Sequence, residues 1–81
     1  MSRRVLITGG TRGIGATTAL FFKNNGYNVA VTYAGNDSAA KKFEKDTGIK
    51  AFKWDVSNYD ECVEGISQVE GYLGGNIEVL V

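Results

Sequence analysis

The sequence predicts an α/β fold, an open parallel sheet with helices on both faces, and three observations point to it. Short β-branched runs alternate with segments of helical apolar spacing along the whole chain. Glycine, asparagine and aspartate punctuate the runs. The densest glycine segment, Thr8-Gly9-Gly10-Thr11-Arg12-Gly13-Ile14-Gly15, falls at the first junction between a strand and a helix.

Val5-Leu6-Ile7-Thr8 reads as the first strand. Ala16, Ala19 and Leu20 then stand at i, i+3 and i+4, which predicts a helix that stops at Gly26. Val29-Ala30-Val31-Thr32-Tyr33 is the second strand. A second helix is expected from about Asp37 to Thr47, with Asn36, Asp37 and Ser38 as capping candidates, Ala39 and Phe43 one turn apart, and Gly48 as its stop. Ala51-Phe52-Lys53-Trp54, after Ile49, forms the third strand. In the third helix Cys62, Ile66, Val69 and Leu73 recur at i, i+4, i+7 and i+11, opened by Ser57 with Asp60 three residues later and ended by Gly74-Gly75. Gly65 and Gly71 inside it each cost roughly 1 kcal/mol against alanine, so this helix is expected to depend on packing. Ile77 to Val81 is the fourth strand. The first, second and fourth strands alternate little, as expected of strands covered on both faces. The order is βαβαβαβ, and ligands of such sheets bind beyond the carboxyl ends of the strands, where the strand order reverses.

Composition bounds the function. A chain of 81 residues holds one small domain, and 43% apolar with 22% charged residues is ordinary for a folded, soluble chain. Nine basic residues balance nine acidic ones, so no basic surplus recommends nucleic acid or an anionic membrane as partner. With Cys62 as the only cysteine and no histidine, neither an internal disulfide nor a tetrahedral zinc set can be completed. The apolar stretches fall far short of a membrane span, and Met1-Ser2-Arg3-Arg4 leads into only Val5-Leu6-Ile7 before glycines. No signal peptide, no membrane helix and a reduced cytoplasmic setting are expected.

The glycine segment carries the functional information. Gly9 lets the chain turn off the strand, Gly13 lets backbone approach a ligand, and Gly15 lets the helix pack closely on the sheet. The free N–H groups and positive end of the helix then face a diphosphate. A nucleoside-triphosphatase loop fails because Gly15 is followed by Ala16-Thr17 rather than by Lys and a hydroxyl residue. A phosphoacceptor receiver domain fits Asp55 at the end of the third strand, but it needs acidic metal ligands after the first strand, where Thr8-Gly9 stands.

Thr8-Gly9-x-x-x-Gly13-x-Gly15, with Asp55-Val56 after the third strand, resembles the short-chain dehydrogenase/reductase family, and the match runs the whole chain. The resemblance implies a Rossmann-like sheet in the order 3-2-1-4, the amino-terminal half of a doubly wound fold. More narrowly, Tyr33-Ala34-Gly35-Asn36-Asp37, Thr47-Gly48-Ile49, Lys53-Trp54-Asp55-Val56 and Cys62-Val63-Glu64-Gly65-Ile66 are similar to the acetoacetyl-CoA reductases, with the 3-oxoacyl-[acyl-carrier-protein] reductases next. The resemblance implies that Gly9, Gly13 and Gly15 shape the diphosphate site and that Thr11, Arg12 and Ile14 form the loop around the cofactor. It also implies that Asp55 bonds the adenine amino group and Val56 lines the adenine pocket; read alone, Asp55 serves equally as a cap of the following turn.

NADP(H) is the expected cofactor. An NAD enzyme places a carboxylate at the end of the second strand, where this chain has Thr32-Tyr33-Ala34-Gly35 and no acid before Asp37. The resemblance implies that Arg12, immediately before Gly13, pairs its planar fork with a 2′-phosphate, the alternative being a solvated surface arginine. Cys62 reads as core, and Phe21, Phe22, Phe43 and Phe52 as packing residues. Trp54 and Tyr59 are placed on the adenine side, and the Lys41, Lys42, Glu44, Lys45 run is an exposed helix face.

Family members run to roughly three times this length. Their catalytic Ser, Tyr and Lys lie further on, and no Tyr here opens a Tyr-x-x-x-Lys pattern: Tyr27, Tyr33, Tyr59 and Tyr72 are followed four residues later by Val31, Asp37, Val63 and Asn76. The chain is therefore expected to be the cofactor-binding part of a reductase, inactive by itself, that meets acyl-CoA substrate only with the remaining part. The resemblance implies a homotetrameric parent. A noncatalytic nucleotide-binding module is the other reading. In either case Ile77, Val79, Leu80 and Val81 should lie on an uncovered edge.

Overall fold

Val5, Leu6 and Ile7 are at most 1% exposed, so the strand they form is covered on both faces. The computed structural model describes residues 3–11 and 13–81 and contains β1 (Arg4–Ile7), α1 (Gly13–Asn24), β2 (Asn28–Tyr33), α2 (Asp37–Thr47), β3 (Lys50–Lys53), α3 (Tyr59–Leu73) and β4 (Val79–Leu80). The strands make one parallel sheet in the order β3-β2-β1-β4, the Rossmann-like order expected. No described helix is long and apolar enough to cross a membrane.

Alternation along the strands sorts the core into two layers. The register pairs Val5 with Val29 and Ile7 with Val31, and these four face α1 and α2 together with Ala19, Phe43 and Ile49. Leu6 pairs with Ala30, and both face α3 with Trp54 and Val69. Each large apolar side chain buried this completely contributes about 1.5–3 kcal/mol, which concentrates stability on β1 and β2.

α2 runs over the expected residues: the Asn36 side chain accepts from the Ala39 N–H at 3.0 Å, and the Gly48 N–H donates to the Glu44 carbonyl at 2.8 Å. The Lys23 ammonium, from the last turn of α1, donates to the Thr47 carbonyl and ties the ends of the two helices together.

Several expectations are corrected. Ser57 does not open α3; Asn58 caps it, accepting from the Glu61 N–H at 3.1 Å, because the Ser57 hydroxyl is committed to Asp55. The inward line of α3 includes Gly65 and Val69, both buried, while Ile66 is 36% exposed. Trp54 is the reason: it is buried under α3, its ring so close that a Cβ on Gly65 would stand 2.5 Å from ring carbons. In α1, Ala16, Ala19 and Phe22 pack inward, whereas Leu20 is 37% and Phe21 62% exposed. β4 is shorter than expected and not covered on both faces, with Leu80 65% and Val81 51% exposed at the uncovered edge the sequence foresaw.

Two glycines of α3 should therefore respond oppositely to alanine. Gly65→Ala pushes a methyl into the Trp54 ring and should cost about 1–2 kcal/mol after the gain in helix propensity. Gly71→Ala, with nothing within 4 Å of the added carbon, should stabilise by about 0.5–1 kcal/mol. Urea denaturation of the two variants reads both signs, and equal shifts would contradict the packing described.

Candidate functional site

β1 lies between β2 and β4, so the strand order reverses there and the crevice opens beyond its carboxyl end. Thr8 follows the strand, its N–H and its hydroxyl both donating to the Val81 carbonyl, at 3.0 and 2.9 Å. Gly9 turns away at φ 65°, in the left-handed region. The turn is then pinned to β2: Gly9 N–H donates to the Thr32 hydroxyl at 3.4 Å and Gly10 N–H to the Thr32 carbonyl at 3.2 Å.

Close approach dictates the glycines. A Cβ on Gly10 would stand 2.5 Å from the Val31 Cβ, and one on Gly15 would come within 3.0 Å of the Gly10 Cα. Gly15 thus lets α1 press against the turn rather than against the sheet, a correction to its expected partner. Gly10 carries the tightest contact with β2 and was not singled out in the sequence; its burial between the turn and Val31 has no local signature. Gly13 is the opposite case, exposed at φ 58° with open space where a side chain would be. It opens α1, whose first turn holds no acidic residue, and Ile14 beside it is 86% exposed. The first N–H groups of a 12-residue helix, with its positive end, are therefore accessible to an anion.

Gly9 and Thr11 join Tyr33, Ala34, Gly35 and Asn36 around a cleft of about 250 Å³ beside the end of β2. Among the described residues no carboxylate lines it. The first acid after β2, Asp37, is held by its neighbours: the Lys53 ammonium stands 3.2 Å from Oδ1 and the Tyr33 hydroxyl donates to Oδ1 at 3.1 Å. Lys53 first, then Tyr33, hold the Asp37 carboxyl below the usual carboxylate range. Partial burial and the Asp37 carboxylate push the Tyr33 phenol above its ordinary value. Neither Tyr33 nor Lys53 was marked as a site residue from the sequence, because only the pairing of β2 with β3 brings them together.

Asp55 and Val56 sit one strand over, at the same end of the sheet, and do not line the cleft. The Trp54 N–H donates to the Tyr33 carbonyl at 3.1 Å, continuing β3 past its last residue. Asp55 then closes the following turn: its Oδ1 accepts from the Ser57 N–H at 2.9 Å and the Ser57 hydroxyl at 2.7 Å, which leaves Oδ2 for other donors. These bonds hold the Asp55 carboxyl below its ordinary pKa. Glu61 fixes the preceding peptide by accepting from the Asp55 N–H at 3.2 Å, and the half-buried Cys62 thiol donates to the Val56 carbonyl at 3.1 Å. The Val56 side chain is 51% exposed. Arg12 lies outside the described residues. Among the described residues no cluster of His, Cys, Asp and Glu could hold a metal ion.

Residues 3–81 match the model of the short chain dehydrogenase family. The acetoacetyl-CoA reductase of Shinella zoogloeoides is 59% identical over all 81 residues, which are 33% of that protein. The 3-oxoacyl-[acyl-carrier-protein] reductase FabG of Staphylococcus epidermidis is 37% identical over 86 aligned residues, covering 100% of this chain and 35% of that protein. A structure of BdcA in complex with NADPH superposes with a TM-score of 0.81 and 36% identity, over 96% of this chain and 30% of that one. The chain spans about a third of the length of the curated relatives it matches.

Ser57→Ala removes the hydroxyl bond to Asp55, and the Asp55 carboxyl should titrate closer to its ordinary value when followed by NMR. The linkage has a definite sign. A depressed folded-state pKa stabilises above the unfolded-state value and is lost as pH falls through the folded value. The variant should therefore lose stability relative to the parent at neutral pH, and the gap should close in acid.

Proposed function

This chain belongs to the short chain dehydrogenase family, and from that premise we propose that it is the NADPH-binding part of a reductase acting on 3-oxoacyl thioesters. The substrate of this reading is acetoacetyl-CoA, reduced to 3-hydroxybutanoyl-CoA in polyhydroxyalkanoate synthesis. The 59% identity to an acetoacetyl-CoA reductase favours a CoA thioester over an acyl-carrier-protein thioester, and favours an enzyme over a noncatalytic nucleotide-binding module.

One observation carries the cofactor half of the proposal: an open glycine turn at the amino end of α1 adjoins a cleft without a carboxylate. The residues present fit a dinucleotide. Gly9, Gly13 and Gly15 form a backbone cradle that side chains would fill, so a diphosphate reaches the helix N–H groups. Thr11, Arg12 and Ile14 surround the cofactor. Asp55, with Oδ2 available, accepts from the adenine amino group, and the exposed Val56 packs on the adenine ring. Arg12 pairs with the ribose 2′-phosphate. When bound, NADPH supplies the hydride for the C3 carbonyl. The residues here bind and orient it, while the proton donor and the acyl-CoA contacts belong to the rest of a homotetrameric parent; the chain alone is inactive.

Titration of the chain with NADPH and with NADH, followed by cofactor fluorescence, tests the reading. NADPH should bind about tenfold or more tightly than NADH, and Arg12→Ala should remove most of that preference. Equal affinities, or no saturable binding by a folded sample, would overturn it.

A further inference from the structure

The cleft has one charged neighbour whose charge is cancelled from another strand. We propose that Lys53 is a cofactor-specificity residue acting through Asp37: its ammonium neutralises the Asp37 carboxylate at the rim of the cleft and so keeps that rim open to a ribose 2′-phosphate. The inference rests on the dinucleotide reading above and deepens it.

The placement follows from sheet register. β2 and β3 pair in parallel with Tyr33 opposite Lys53, so the last residues of both strands stand side by side. Tyr33 lines the cleft and its hydroxyl donates to Asp37 at 3.1 Å. Asn36, the residue before Asp37, also lines the cleft. Asp37 is therefore tied to the rim from both sides, by the chain and by the phenol. A carboxylate in this region of a dinucleotide site accepts from ribose hydroxyls and repels a 2′-phosphate. Here Thr32-Tyr33-Ala34-Gly35 leave the end of β2 without an acid, and Asp37 would restore a negative rim if it stood alone. It does not stand alone, because the Lys53 ammonium straddles the carboxylate at 3.2 Å from Oδ1 and 3.4 Å from Oδ2. Lys41, one turn along α2, adds a weaker attraction to the same carboxylate.

Exposed pairs of this kind stabilise a fold little. Their effect on a dianionic ligand group is different, since removing the ammonium leaves a whole unit charge at the rim. Lys53 is thus a positioning and charge-cancelling residue, with no contact to the phosphate required.

Binding of NADPH and NADH is to be measured for the parent chain, Lys53→Ala, Asp37→Asn, the double variant, and Lys53→Arg, with folding checked by circular dichroism. Lys53→Ala should weaken NADPH by about threefold to tenfold and leave NADH within about twofold, less so at high salt. The double variant, again neutral at the pair, should bind NADPH within about twofold of the parent chain, and Lys53→Arg should keep the parent preference. A double variant that loses as much NADPH affinity as Lys53→Ala would mean direct contact between Lys53 and the phosphate and would overturn the mechanism. No loss in either variant would reduce Lys53 and Asp37 to a surface pair. Failure of the unsubstituted, folded chain to bind NADPH would instead sink the dinucleotide reading itself.

Discussion

The double burial of β1 is the constraint on which the rest of the structure depends. Val5 and Ile7 anchor one core layer and Leu6 the other, so the strand can neither tilt nor slip by one residue without exposing a full set of apolar side chains. With the strand held, the chain must leave it at Thr8, at the carboxyl edge of the sheet. The Thr8 bonds to the Val81 carbonyl place β4 on one side, and the Thr32 contacts place β2 on the other. Everything about the glycine turn follows from that confinement.

Thr32 couples packing to the site. It is a buried polar residue at 1% exposure, and both its hydroxyl and its carbonyl are satisfied by N–H groups of the turn. A buried polar group without such partners would cost about 1–3 kcal/mol. The turn therefore satisfies the end of β2 while holding its own shape, and the shape in turn presents Gly13 and the first turn of α1 to solvent. Rigid backbone at the proposed diphosphate position is useful because a prearranged site loses little ordering entropy when a ligand arrives.

The two faces of the sheet are unequal. α1 and α2 cover the Val5 face, joined at their carboxyl ends through Lys23 and Thr47. Among the described residues α3 alone covers the Leu6 face, where Val63 and Ile66 remain partly exposed and the buried Trp54 Nε1 has no hydrogen-bond partner. The Asp55-Val56 turn is nevertheless held firmly from the α3 side, through the Asn58 cap, Glu61 and Cys62. A residue that looks like simple core in the sequence, Cys62, thus also fixes the backbone of a proposed cofactor-binding residue.

Periodicity and punctuation determined the order of elements, the limits of α2 and the position of the glycine turn, and motif residues such as Gly9, Gly13, Gly15 and Asp55-Val56 carried the family resemblance. Those are local properties: a run of β-branched residues, a helical stripe or a glycine at a junction is legible without knowing what lies across from it. Tertiary structure decided what depends on a partner distant in the chain. Gly10 is needed because Val31 lies 2.5 Å from where its Cβ would be, Gly65 because Trp54 turned inward, and Asn58 replaced Ser57 as cap because Asp55 had taken the hydroxyl. The charge of the cleft rim belongs to the same class. Asp37 is visible in the sequence as an acid after the second strand, but only the β2–β3 register brings Lys53 against it and removes its charge from the site.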